Sequence, residues 1–144
     1  MAASNKNRDG WRTGSLAELP ACPPFPAFTD FERQALDSIA PIFGDREEAF
    51  RAQIANAEVV DRINTVVGFY TRVRVDRAKC SPVPIHLGGA HFDVEGVELG
   101  LHIILWDTDG DGYLEQIEGV GVVSDLLKDV DLASLNMVRM TLLG

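Results

Sequence analysis

The chain predicts an α+β domain, with two short N-terminal helices packed on an antiparallel sheet of about five strands. Three observations point there. Apolar residues recur at helical spacing only between Thr29 and Ala57, the pattern changes to period 2 from Val59, and the later segments are separated by turn residues. No βαβ alternation and no internal repeat are present, so a parallel sheet is not expected.

Residues 1–27 read as a flexible arm, polar at first and then punctuated by Pro20, Pro23, Pro24 and Pro26. Residues 28–144 form the domain. Thr29-Asp30-Phe31-Glu32 is a capping box, and Phe31, Ala35, Ile39 and Phe43 follow on one helical face. Pro41 should tighten the last turn, and Gly44 is a natural stop. Asp45, with Glu48 three residues on, predicts a second helix start, and Phe50, Ile54 and Ala57 its apolar stripe.

Beyond Val59, Val67, Phe69, Val73 and Val75 alternate with Gly68, Tyr70, Arg72 and Arg74, a long strand with one buried face and a break near Gly68. A second strand is expected from about Ile85 through Val94, with Ala90, Phe92 and Val94 inward. Gly96 at the first central place of a two-residue turn would set Val94 opposite Leu99, Phe92 opposite Leu101 and His91 opposite His102. Leu99 to Trp106 and Tyr113 to Val123 continue the sheet. Asn136 to Leu143 closes it, after a short helical or irregular piece at 124–135.

The connection after Trp106 carries the sharpest motif. Asp107, Asp109 and Asp111, then Gly112, the Tyr113 carbonyl and Glu118, occupy the ligand and turn places of an EF-hand calcium loop. An EF-hand needs a helix on each side. Here Leu99, Leu101, Ile103 and Leu105 alternate as in a strand, and Gly119-Val120-Gly121 stands where the exit helix should begin. A β-hairpin with an acidic turn is the favoured reading, and calcium bound by that turn is the alternative.

Gly68-Phe69-Tyr70-Thr71, Gly89 through Gly96, Gly100, and Leu114 through Gly119 resemble a group of small bacterial proteins of uncharacterised function, over about residues 50–120. The resemblance implies a bacterial origin and a turn of variable length, which fits a hairpin; it implies no activity.

The 144 residues suit a single domain with its own core, and 46% hydrophobic against 24% charged residues is ordinary for a globular protein. A formal net charge of −9 without a basic patch argues against nucleic acid and against anionic membranes. No apolar run reaches transmembrane length and Met1 to Gly10 lacks a signal-peptide core, so a cytoplasmic protein is expected. Cys22 and Cys80 stand in no metal-ligand spacing; free thiols are expected, with a disulfide left open.

The expected register offers one constellation for chemistry. His91 and His102 would face each other on the outer sheet face beside Asp93, Glu95 and Glu98, a set suited to a metal ion or to acid–base catalysis by His91, His102 and Asp93. Tyr70, Ile104 and Trp106 make part of the same face aromatic and apolar, a surface for a protein partner or a second copy. Arg72 and Arg74 also point outward, towards acidic neighbours. No nucleophile stands in an activating context. A non-enzymatic binding module without a cofactor is therefore the leading expectation. A calcium-binding protein is the first alternative, and a metal- or histidine-dependent enzyme the second.

Overall fold

The computed structural model describes residues 28–65, 68–85, 90–107, 110–122 and 137–142. The expected arm at 1–27, Cys22, Asp109 and the piece expected at 124–135 lie outside these residues.

A helical run opens the domain. It comprises α1 (Asp30–Ile39), a 3-10 segment (Ala40–Arg46) and α2 (Glu47–Ala55). The capping box forms as expected: the Thr29 hydroxyl accepts the Glu32 amide at 3.1 Å, and Glu32 Oε1 accepts the Thr29 amide at 2.8 Å. Two separate helices were expected, but the chain stays helical between them. Pro41 lies in the first turn of the 3-10 segment, where its ring-fixed φ suits the helical backbone. Gly44 takes φ 59°, ψ −121°, a kink in the run and not a stop. The Asp45 cap does not form, because α2 starts after Arg46 with no side-chain cap bond.

Six described strands make one antiparallel sheet: β1 (Ala57–Asn64), β2 (Gly68–Val75), β3 (Ala90–Val94), β4 (Val97–Asp107), β5 (Leu114–Gly121) and β6 (Met137–Leu142). Their order is β1-β2-β5-β4-β3-β6. About five were expected. The additional strand is β1, which pairs with β2 across the break expected near Gly68. It escapes a period-2 reading because its register shifts between Val59 and Asp61, and because Asp61 and Arg62 are both buried. Of the second expected strand, Ala90–Val94 is described as β3, and Ile85 lies outside a strand.

The helical run covers the inner face. Phe31 meets Phe69 and Phe92 edge-on, with ring centroids 6.4 and 6.1 Å away, and Phe43 stacks on Phe50 at 4.2 Å. Ile39, Leu101, Ile103, Leu105, Leu114 and Ile117 complete a continuous core with these rings. Burying each such aliphatic side chain contributes roughly 1.5–3 kcal/mol.

The β3–β4 hairpin keeps two of the three expected pairings, Phe92 with Leu101 and His91 with His102. The third is corrected: Val94 pairs with Val97, so Glu95 and Gly96 are the central turn residues and Gly96, with φ 80°, is the second of them. The register recovers through a bulge. Leu99 and Gly100 both adopt left-handed backbone, φ 60° and 74°, and Leu99 is turned out to 63% exposure, not inward as expected. A β-carbon on Gly100 would lie 2.2 Å from the Phe92 carbonyl oxygen, so only glycine fits the bend.

Candidate functional site on the outer sheet face

The acidic turn joins β4 to β5 as a hairpin, with Asp107 opposite Leu114 and Ile104 opposite Glu118. Strands, not helices, therefore flank it. Asp107 Oδ2 accepts the Gly112 amide at 2.8 Å, and Asp111 Oδ1 accepts the Tyr113 amide at 3.0 Å. Asp111 also pairs with Arg77, whose guanidinium lies 4.4 Å above the Tyr113 ring. From inside, Gln53 is fully buried: its amide nitrogen donates to the carbonyls of Ser81 and Gly112 at 2.9 and 2.8 Å, and its oxygen accepts the Leu114 amide at 2.9 Å. The turn is thereby tied to α2 and to the loop after β2. Nothing in a period or motif reading singles out Gln53.

Glu118 is not brought to Asp107 and Asp111. It sits on β5, roughly 13 Å of strand beyond Leu114. There its carboxylate accepts the Trp106 indole N–H at 2.9 Å and the Tyr70 hydroxyl. Burial, and then the charge and hydrogen bond of Glu118, raise the Tyr70 pKa above its ordinary value. Among the described residues, no three His, Cys, Asp or Glu side chains converge to hold a metal ion.

The outer face is organised in cross-strand rows. One row runs Tyr70, Glu118, Ile104; the next runs Arg72, Gln116, Trp106; on the other side lie Val120, His102, His91 and Thr141. Trp106 is 48% exposed and Ile104 half-buried. His91 and His102 meet as the register predicts, rings 5.2 Å apart and edge to face. Asp93 accepts from His91 Nε2 at 3.1 Å and, on its other oxygen, from Arg139 Nε and Nη2 at 3.0 and 2.8 Å. The hydrogen bond from Arg139, and then that from His91, hold the Asp93 carboxyl below the usual carboxylate range. Glu95, in the turn, and Glu98, just after it, are exposed. Arg74 lies 3.8 Å from Glu58 on the exposed sheet edge.

Concave surface occurs elsewhere. A cleft of about 470 Å³ lies between α1 and α2, lined by Phe28, Arg33, Leu36, Asp37, Phe50 and Arg51 among others. None of His91, His102 and Asp93 lines it. No described helix is long and apolar enough to cross a membrane. Cys80 is free, its thiol donating to the Asp76 and Ala52 carbonyls at 3.3 and 3.5 Å. No family model, curated protein or solved structure significantly matches this chain.

Proposed function

We propose that the protein is a non-enzymatic recognition module whose outer sheet face binds a partner protein segment. The observation that carries this reading is Trp106, a half-exposed indole held by Glu118 beside Tyr70 and Ile104. Tryptophan and tyrosine contribute large contact area at little conformational cost and dominate protein interfaces. Their placement on paired strands, with Glu118 bridging them, presents the face without loop rearrangement. The negative net charge and the central carboxylate favour a segment that combines basic and apolar side chains. The candidate catalytic trio favours the same reading, since Asp93 is already engaged by Arg139 and the trio stands apart from the cleft.

Short random peptides selected on the wild-type protein and counter-selected on a Trp106→Ala, Ile104→Ala variant test the reading. Basic, apolar peptides retained by the wild type and lost by the folded variant are expected. Equal retention by both proteins would refute it.

A further inference from the structure

We propose that His91 and His102 form a two-imidazole chelate for a late first-row divalent cation, Cu²⁺ above Zn²⁺, on the outer face of the β3–β4 hairpin. The two residues are direct register partners, and their ring centroids lie 5.2 Å apart. Directly opposed positions in an antiparallel pair set the β-carbons about 4.5–5.5 Å apart. From there two imidazoles can close on one ion at metal–nitrogen distances of about 2.0–2.1 Å.

His91 is arranged for this in advance. Its Nε2 lies 3.1 Å from Asp93 Oδ1, and Arg139 fixes the other Asp93 oxygen. With Asp93 as the acceptor at Nε2, Nδ1 is the ring nitrogen left to meet the ion. Metal-binding histidines are commonly oriented in this way, by donating the remote ring N–H to a carboxylate. The His91 side chain is only 21% exposed, so much of its freedom is lost before any ion arrives. The bulge contributes too. A β-carbon on Gly100 would stand 3.0 Å from His91 Cε1 and Nε2, so glycine there leaves room for the ring. Leu99, a non-glycine residue at φ 60°, holds a conformation that costs about 1–2 kcal/mol and is retained two residues before the register returns at Leu101.

Two neutral imidazoles select the ion. They suit Cu²⁺ and Zn²⁺, whereas Ca²⁺ and Mg²⁺ require oxygen ligands. Asp93 acts through His91 as a positioning residue, and water completes the coordination sphere.

Calorimetric titration of the untagged full chain with CuCl₂, ZnCl₂ and CaCl₂ decides the matter. One Cu²⁺ per chain is expected, Zn²⁺ weaker and no calcium signal at this site. His91→Ala and His102→Ala should each lower Cu²⁺ affinity at least tenfold, and Asp93→Asn about 10- to 100-fold. His102→Gln serves where His102→Ala does not fold, as judged by circular dichroism. No one-to-one binding by the wild type, or binding undiminished in folded His91 and His102 variants, overturns the proposal.

Discussion

Arg62 on β1 and Glu32 on α1 form a two-point ion pair in the core, Nε to Oε2 at 3.1 Å and Nη2 to Oε1 at 2.5 Å, at 0% and 1% side-chain exposure. The same carboxylate accepts the Thr29 amide of the capping box and the Thr71 hydroxyl on β2. One side chain thus ends the unpaired start of α1 and ties that helix to the two strands at the sheet edge.

Removing one partner leaves a buried charge with nothing opposite it. Arg62→Met is expected to cost about 3–5 kcal/mol, read from the midpoint of urea unfolding. The double variant Arg62→Met, Glu32→Leu should lose less than Arg62→Met alone, because no charge is then stranded. A single variant within 1 kcal/mol of the wild type, on the order of an exposed pair, would contradict the geometry.

Gln53 links three backbone groups, two of them through buried bonds. Gln53→Leu fills a similar volume and leaves the buried Leu114 amide without its acceptor and the Ser81 carbonyl without the Gln53 donor, while the Gly112 carbonyl keeps the Val83 amide at 2.7 Å. A loss of about 1–3 kcal/mol is expected. Amide exchange should also quicken in Leu114 and Tyr113, because the acidic turn loses its inner anchor. Unchanged exchange there would mean the turn is held from the outside.

Much of this architecture is legible in the chain. The Thr29–Glu32 box, the inward alternation of Leu101, Ile103 and Leu105, and the His91–His102 pairing follow from period and turn chemistry. What is not legible depends on distant partners. Asp61 and Arg62 look like solvent-facing residues until Glu32 is placed against Arg62, and β1 is hidden with them. Glu118 fits a calcium ligand by spacing alone, while the register turns it to Trp106 and Tyr70. Leu99 fits the inner face by alternation, and the two-residue bulge that turns it outward leaves no local signal beyond Gly100.

Tyr70 should titrate above the ordinary tyrosine value of about 10, since burial and Glu118 disfavour the phenolate. Folding then favours the neutral form. This contribution to stability is complete below pH about 10 and is lost as pH rises through the folded-state value. Absorbance titration of a Tyr113→Phe variant isolates Tyr70 among the two tyrosines. Adding Glu118→Gln should bring the transition down towards the unperturbed value, and an unshifted transition in both would contradict the contact.

With Glu118 engaged on the outer face and Asp107 and Asp111 bonded within their own turn, millimolar calcium after EDTA treatment should leave the melting temperature unchanged. A rise of several degrees, lost in Asp111→Asn, would mean that the folded state binds the ion in preference to the unfolded chain.

The recognition surface is tested most directly by amide and indole NMR of the labelled domain titrated with a selected basic, apolar peptide. The account predicts the largest shifts at the Trp106 Nε1–H and at the Tyr70, Ile104 and Glu118 amides. Shifts confined to the cleft between α1 and α2, or to the acidic turn, would place recognition elsewhere and contradict it.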